Sequence, residues 1–107
     1  MKKTYTGRWR IDEMEHWDKD YIDLIVPGHL TINNDGIDSF QFGALEANVD
    51  CRVESVNGVE RLDFSFEGAD EGDQVCGRGW AQVAGGNMTG RIYFHLGDDS
   101  AFTATRQ

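Results

Sequence analysis

The strongest constraint on the fold of this chain is a β-hairpin signal in residues 48–67, NVDCRVESVNGVERLDFSFE. Asn57-Gly58 stands between two runs in which apolar and polar residues alternate, and this dipeptide is a preferred loop of two-residue hairpins. The loop pairs Val56 with Val59, and counting outward from that pair sets the register of both strands.

This register places apolar residues on one face of the hairpin and opposite charges on the other. The predicted pairs are Val53–Leu62, Cys51–Phe64 and Val49–Phe66 on the apolar face, and Glu54–Arg61 and Arg52–Asp63 on the charged face. Both kinds of pair stabilise neighbouring strands. We therefore predict a hairpin with one buried face, in which Cys51 packs as a small core residue.

Two more hairpins are predicted in residues 80–106, WAQVAGGNMTGRIYFHLGDDSAFTATR. A two-residue loop at Gly85-Gly86 sets glycines opposite large side chains, where they leave room for them. The predicted pairs of this hairpin are Val83–Met88, Ala81–Gly90, Gly79–Ile92 and Gly77–Phe94. A three-residue loop at Gly97-Asp98-Asp99 then aligns Phe94 with Phe102 and Ile92 with Ala104.

Residues 29–43, HLTINNDGIDSFQFG, predict a further pair of strands around a polar turn at Asn34-Asp35-Gly36. The side chains expected on its apolar face are Leu30, Ile32, Phe40 and Phe42. Before this hairpin, Trp17, Tyr21 and Leu24 recur at helical spacing, and Pro27 would end a helix. We expect a short helix or turn there.

These patterns predict eight strands, at about residues 5–13, 29–33, 37–43, 45–56, 59–67, 75–83, 88–96 and 100–106. Successive hairpins of an even number of strands favour an up-and-down antiparallel barrel, because closure removes the edge strands. The predicted fold class is all-β: an eight-stranded barrel with one short helix or turn after the first strand, in a single domain of residues 1–107. The interior of such a barrel holds packed side chains or one small ligand.

A motif at the two ends of this strand pattern resembles the signature of the calycins, the superfamily of lipocalins and avidins. It consists of Gly7-x-Trp9 on the first strand and Arg106 on the last. The resemblance implies a calycin-like barrel in which Arg106 packs across Trp9 and closes one end. Several stretches are also similar to a group of small bacterial proteins of uncharacterised activity. They are WRIDEMEHWDKDYID, FSFEGADEGDQVCGRGWA and GRIYFHLGDDSAF.

The charge of the chain limits its partners. Its formal net charge is −9, which repels phosphate groups, so we expect neither nucleic acid nor an anionic membrane as partner. Met1-Lys2-Lys3 is not followed by the apolar run of a signal peptide, and a cytoplasmic location is therefore expected. Cys51 and Cys76 are then reduced thiols.

The sequence contains no pattern that identifies a catalytic site. His16, His29 and His95 lack the spacing of metal ligands, and phosphate and dinucleotide motifs are absent, so we predict no metal, cofactor or catalytic residue. Carboxylates cluster in EGADEGDQ, which is expected to be the longest turn of the second half. They are Glu67, Asp70, Glu71 and Asp73. A small hydrolase or isomerase that uses such loop carboxylates is the last of the functions considered.

The predicted registers also place a set of cationic and aromatic residues on the outside of the barrel. We call this set the outer patch, and it consists of Arg78, Trp80, Arg91, Tyr93 and His95. Arg78 lies opposite Tyr93 and Arg91 opposite Trp80, which predicts two cation–π pairs. Arg, Trp and Tyr are the residue types enriched in binding hot spots.

Two functions follow from these features. The first is a non-enzymatic binding or protein-interaction module, whose site is either the outer patch or a narrow end of the barrel. Its partner would be another protein or a second copy in a homodimer. The alternative is a carrier of a small apolar ligand in the barrel interior. The residues expected to line that interior are Trp9, Phe40, Phe42, Phe64, Phe66, Phe94, Phe102 and Arg106.

Overall fold

The protein is an all-β barrel in a computed structural model that describes residues 1–35 and 37–107. Eight antiparallel strands follow one another around the barrel in chain order, and the last strand pairs with the first. The strands are β1 (Gly7–Met14), β2 (His29–Ile32), β3 (Asp38–Phe42), β4 (Leu45–Val56), β5 (Val59–Asp70), β6 (Asp73–Ala84), β7 (Asn87–Phe94) and β8 (Asp99–Arg106). A short helix, α1 (Lys19–Ile22), follows β1. This architecture confirms the predicted fold class.

The β4–β5 hairpin has the register that its loop predicts. Val56 pairs with Val59, and every pair derived from it is present, including Val49 with Phe66. Asn57 and Gly58 both have positive φ angles, of 52° and 79°, as a tight loop of this type requires. The two strands are twelve residues long, so this hairpin forms the largest paired segment of the barrel.

The β6–β7 hairpin also follows its predicted register, and its glycines make room for aromatic rings. Gly77 pairs with Phe94 and Gly79 with Ile92. A Cβ atom on Gly77 would lie 2.6 Å from the Phe66 ring on the neighbouring strand β5, which is closer than packed carbon atoms approach. Glycine at this position therefore allows the ring to fill the interior.

The predicted register between β7 and β8 is wrong by four residues. Gly90, and not Phe94, pairs with Phe102, and Ile92 pairs with Ser100. The loop consists of residues 95–98, with Leu96 in the left-handed conformation at φ 57°. The Phe94 amide donates a hydrogen bond to the carbonyl of Asp98 at 2.9 Å. The reason is steric, because only glycine leaves space for the Phe102 ring, which a Cβ atom on Gly90 would approach to 2.8 Å.

The predicted long turn EGADEGDQ is also wrong. Strand β5 continues to Asp70 and β6 begins at Asp73, so that only Glu71 and Gly72 form the turn. Both residues have positive φ angles, of 51° and 88°. The four carboxylates are therefore distributed over two strands and a tight turn, and they do not line a single loop.

The short helix closes one end of the barrel. Asp18 caps it by accepting a hydrogen bond from the Tyr21 amide at 2.9 Å, and Ile22 is fully buried. Leu24, which was expected on the packed face, is instead 57 % exposed because the helix ends two residues earlier. Gly36, part of the predicted turn at Asn34-Asp35-Gly36, lies outside the described residues.

Strands β2 and β3 keep their predicted apolar face. Leu30 pairs with Phe40, and both residues are buried in the interior. Over residues 1–35 and 37–107, no helix has the length and apolar content that crossing a bilayer requires.

Candidate functional site

The aromatic residues predicted to line the interior all point into the barrel, where they belong to one hydrophobic cluster. Phe94 is half-buried, and the other six are at most 5 % exposed. These six are Trp9, Phe40, Phe42, Phe64, Phe66 and Phe102. These seven rings therefore belong to the interior of the barrel.

At the end of the barrel that α1 covers, the rings pack against one another. The centre of the Phe66 ring lies 5.6 Å from the centre of the Phe40 ring and 5.4 Å from the centre of the Phe94 ring. Trp17, from the segment before α1, inserts between this group and solvent, with its centre 4.9 Å from Phe42 and 6.0 Å from Phe94. Separations of this size are those of aromatic rings in contact. This half of the interior is a packed core.

At the opposite end, Arg106 and Trp9 form the pair that the calycin resemblance implies. The two residues pair across β1 and β8, and the guanidinium carbon lies 4.4 Å from the centre of the Trp9 ring. The guanidinium also donates to the backbone carbonyls of Lys3, Thr4 and Thr6. Arg106 thus fastens the N-terminal segment across the end of the barrel.

Tyr5 completes this closure. Its ring is 2 % exposed, its hydroxyl donates to a Glu60 carboxylate oxygen at 2.9 Å, and Lys2 forms an ion pair with the same carboxylate. Burial, followed by the contact with Glu60, raises the pKa of Tyr5 to about 12. Both ends of the interior are therefore covered by side chains of the chain itself.

The outer face of β4–β7 carries two rows of polar side chains that cross the four strands. One row consists of Asn48, Glu67, Cys76 and His95, and the neighbouring row consists of Asp50, Ser65, Arg78 and Tyr93. The backbone of His95 joins the first row by donating to the carbonyl of Cys76 at 2.8 Å. Since alternate residues of a strand point to opposite faces, both rows point away from the core.

These rows line a groove of about 620 Å³, which we call the outer groove. Its floor is low at Ser65 and Cys76, whose side chains are small, and the longer side chains of Glu67 and Arg78 stand on the same two strands, diagonally across from each other. The strands also press together here, since a Cβ atom on Gly77 would collide with the backbone carbonyl of Tyr93. Leu96, with a 95 % exposed side chain, belongs to the rim of the groove.

Arg78 and Tyr93 form a cation–π pair in the wall of the groove. The guanidinium carbon of Arg78 lies 4.4 Å from the centre of the Tyr93 ring, as the predicted pairing requires. The Tyr93 hydroxyl is in turn 3.4 Å from the Trp80 indole nitrogen, which holds the ring against its neighbour. The Tyr93 ring therefore orients the Arg78 side chain.

The second predicted cation–π pair is replaced by a different one. Although Arg91 lies opposite Trp80 in the register, its guanidinium bonds to Asp99 at 2.6 Å and to Glu15 at 3.3 Å. Arg61, from β5, covers the Trp80 ring instead, with its guanidinium carbon 5.6 Å from the ring centre. The two carboxylates attract Arg91 more strongly than an exposed ring does. Of the outer patch, Arg78, Tyr93 and His95 line the groove, whereas Trp80 and Arg91 lie beside it.

Four groove residues appear in none of the sequence-based predictions. They are Asn48, Asp50, Ser65 and Leu96. The β4–β5 register alone pairs Asp50 with Ser65 and Asn48 with Glu67, but their alignment with β6 depends on the tight turn at Glu71-Gly72, which the sequence pattern did not predict. Leu96 depended on the conformation of the β7–β8 loop, which no sequence pattern specified.

The groove continues along the outside of the sheet. Two smaller depressions, of about 530 and 440 Å³, adjoin it, and Asn48 lines all three. The smallest reaches His29 and Gln41 on β2 and β3. His29 is only 7 % exposed, and burial together with the charge of Arg8 lowers its pKa below the ordinary value of 6.5.

The remaining ionisable clusters have structural roles. Cys51 points inward opposite Phe64, and burial followed by the neighbouring Asp38 carboxylate raises the pKa of its thiol. Asp38 itself accepts a hydrogen bond from the Asn33 amide at 2.8 Å and so fixes the end of β2. In the part of the chain that the structure describes, no three His, Cys, Asp or Glu side chains form a group that could hold a metal ion.

Comparison of the chain with known protein families, with curated proteins and with solved structures yields no match.

Proposed function

We propose that this protein is a non-enzymatic binding module and that the outer groove is its binding site. The observation that carries the proposal is the combination of a groove of about 620 Å³ with an interior that the protein's own rings occupy. Pockets for small ligands typically measure 300–1,000 Å³. The groove has this size, and it adds polar groups that can orient a ligand.

The composition of the groove supports a site for a polar ligand. Asn48 and Ser65 offer hydrogen-bonding groups, Arg78 and Glu67 offer charges, and Tyr93 offers a flat ring. All belong to strands of a closed barrel, so their backbones are held by ladder hydrogen bonds on both sides. Functional side chains on rigid elements keep their geometry better than those on loops.

The test is a map of binding by amide chemical shifts. The ¹⁵N-labelled protein is titrated with a set of polar fragments and, separately, with laurate as a probe of an apolar cavity. We expect the fragment shifts to cluster on residues 48–50, 65–67, 76–78 and 93–96. Saturable laurate binding with shifts centred on Phe40, Phe64 and Phe102 would contradict the proposal and support a carrier function.

The same titration gives the oligomeric state, because the relaxation rates of the amides report the size of the particle. If the outer patch joins two copies, wild-type protein tumbles as a dimer, and the Arg78→Ala and Trp80→Ala variants return it to the monomer. If both variants still tumble as dimers, the homodimer contact does not involve the outer patch.

A relationship to the calycins is part of the proposal. It is supported by the Arg106 guanidinium over the Trp9 ring and by Gly7, whose φ angle of 123° suits glycine alone. We extend the proposal to a bacterial, cytoplasmic protein, for which the two free thiols of Cys51 and Cys76 are the supporting feature. Labelling of both thiols under native and unfolded conditions, without reductant, tests their state.

A further inference from the structure

The outer groove has walls of opposite charge. Asp50 and Glu67 stand on β4 and β5, whereas the Arg78 guanidinium, which comes from β6, lies over the Tyr93 ring of β7. The uncharged side chains of Ser65 and Cys76 lie beside them, since Ser65 pairs with Arg78 and Cys76 with Glu67. A ligand in this groove therefore meets a negative wall on one side and a positive wall on the other.

The charge on the positive wall is available to a ligand. Within the described residues, no carboxylate lies within 4.0 Å of the Arg78 guanidinium. In contrast, Arg91 on the same hairpin is bonded to two carboxylates. The Tyr93 ring holds the guanidinium by one face and leaves its five N–H donors at the edge, which is the geometry that receives a carboxylate.

The charge on the negative wall is available as well. Glu67 forms no ion pair with any Lys or Arg of the described residues, although Arg78 is its diagonal neighbour across β5 and β6. The second acid of this wall, Asp50, is partly neutralised by Arg52 at 3.4 Å. Glu67 is thus the carboxylate best placed to attract a cationic group in the groove.

The separation of the two walls sets the length of a matching ligand. Neighbouring strands lie about 4.8 Å apart, so the backbone of β5 at Glu67 and the backbone of β7 at Tyr93, whose ring the Arg78 guanidinium covers, are roughly 10 Å apart. An extended peptide spans about 3.3–3.6 Å per residue, and the free ends of a dipeptide or tripeptide are therefore about 7–10 Å apart. A single amino acid is too short for both walls.

We propose that the outer groove binds a short zwitterionic ligand of the class of free dipeptides and tripeptides. Its carboxylate lies on Arg78, and its ammonium group lies at Glu67. An apolar side chain of the ligand contacts Tyr93 and the exposed Leu96 at the rim. This inference rests on the proposed binding function of the groove and adds the chemistry of the ligand.

The requirement for two charges separates this ligand from related ones. The C-terminus of a longer chain would use Arg78 without Glu67, and an N-terminus would use Glu67 without Arg78. Polyanions such as nucleic acids are disfavoured, because the acidic wall and the net charge of −9 repel them.

The experiment uses one tripeptide, Ala-Leu-Ala, in four forms: with both ends free, acetylated, amidated, and capped at both ends. Each form is titrated by amide chemical shifts into wild type and into the Arg78→Gln and Glu67→Gln variants. Arg91→Gln and Glu54→Gln serve as matched controls, since they remove charges from the same outer face but outside the groove. Circular dichroism checks that every variant is folded.

We expect the free form to bind most tightly and each cap to weaken binding by roughly three- to fivefold, the effect of an exposed ion pair. The Arg78→Gln variant should lose the preference for a free carboxylate only, and Glu67→Gln the preference for a free ammonium only. The controls should retain both preferences.

Two results would overturn the inference. If all four forms shift the groove amides with equal affinity, the groove binds ligands but does not select the two charges, and only the proposed function survives. If no form binds, the inference fails as well, and the fragment map alone decides whether the groove is a site at all.

Discussion

The guanidinium carbon of Arg106 lies 4.4 Å from the centre of the Trp9 ring, at the seam where β8 pairs with β1. A Cβ atom on Gly7 would come within 3.0 Å of the same guanidinium. The three residues therefore form one packed unit at the end of the barrel. Its position at the seam explains how the two termini of the chain stabilise the closure of the sheet.

Replacing Arg106 should destabilise the protein more than replacing any other arginine of the outer surface. We expect Arg106→Ala to lower the free energy of unfolding by about 2–4 kcal/mol, because it removes the contact with Trp9 and the donors to three carbonyls. Arg106→Lys should recover part of this loss. Urea unfolding measures both, and Arg78→Ala, expected to lower stability by at most about 1 kcal/mol through the loss of its exposed contact with Tyr93, is the control. Equal effects at the two positions would refute the role of Arg106.

Two glycines of the β6–β7 hairpin should respond differently to the same substitution. Gly90→Ala should cost about 1–3 kcal/mol, because the new methyl group would lie 2.2 Å from the backbone carbonyl oxygen of Trp80 and 2.8 Å from the Phe102 ring. Gly86→Ala, in the loop of the same hairpin, has open space around it and should be close to neutral. Thermal unfolding of the two variants compares them directly. A neutral Gly90→Ala variant would contradict the observed register of β7 and β8.

Tyr5 should make the protein sensitive to alkaline pH. Its pKa is raised from 10 to about 12, so the unfolded chain loses the phenolic proton first. The contribution of Tyr5 to the free energy of unfolding is therefore fully present below pH 10 and is lost as the pH rises from 10 to about 12. We expect the loss to be about 1–2 kcal/mol, because the Glu60 partner is exposed to solvent. Urea unfolding between pH 8 and about 12 measures the decline. In Tyr5→Phe the slope should be smaller, and an unchanged slope would assign the decline to other groups.

His29 should titrate below the ordinary pKa of histidine. Burial and the charge of Arg8 lower its pKa from 6.5, so the unfolded chain takes up a proton first and stability falls as the pH decreases through 6.5. The ring resonances of His29 in ¹H–¹³C spectra give the midpoint. In Arg8→Gln the midpoint should move upward. A wild-type midpoint at or above 6.5 would show that solvent reaches the ring.

Local signals were sufficient for much of the fold. Asn57-Gly58 and Gly85-Gly86 determine two hairpin registers, because a two-residue loop leaves a single way to pair the strands that it joins. The β7–β8 register shows the limit of such signals. Its loop contains Leu96 in a conformation that leucine rarely adopts, and the pairing depends on the fit of Phe102 against Gly90. That fit involves residues twelve positions apart and is not visible in the loop itself.

The sequence by itself determined the eight strands, the inward face of each and the identity of the packed rings. These features follow from alternation and from loop chemistry, which act over a few neighbouring residues. The tertiary structure alone decided the partner of each exposed charge. Arg91 forms ion pairs with Glu15 and Asp99, whereas Arg78 lies over the Tyr93 ring and forms no ion pair within the described residues. Flexible side chains can reach neighbours on several strands, so their partners depend on how the strands are placed. The outer groove exists for the same reason, since it requires four strands to lie side by side.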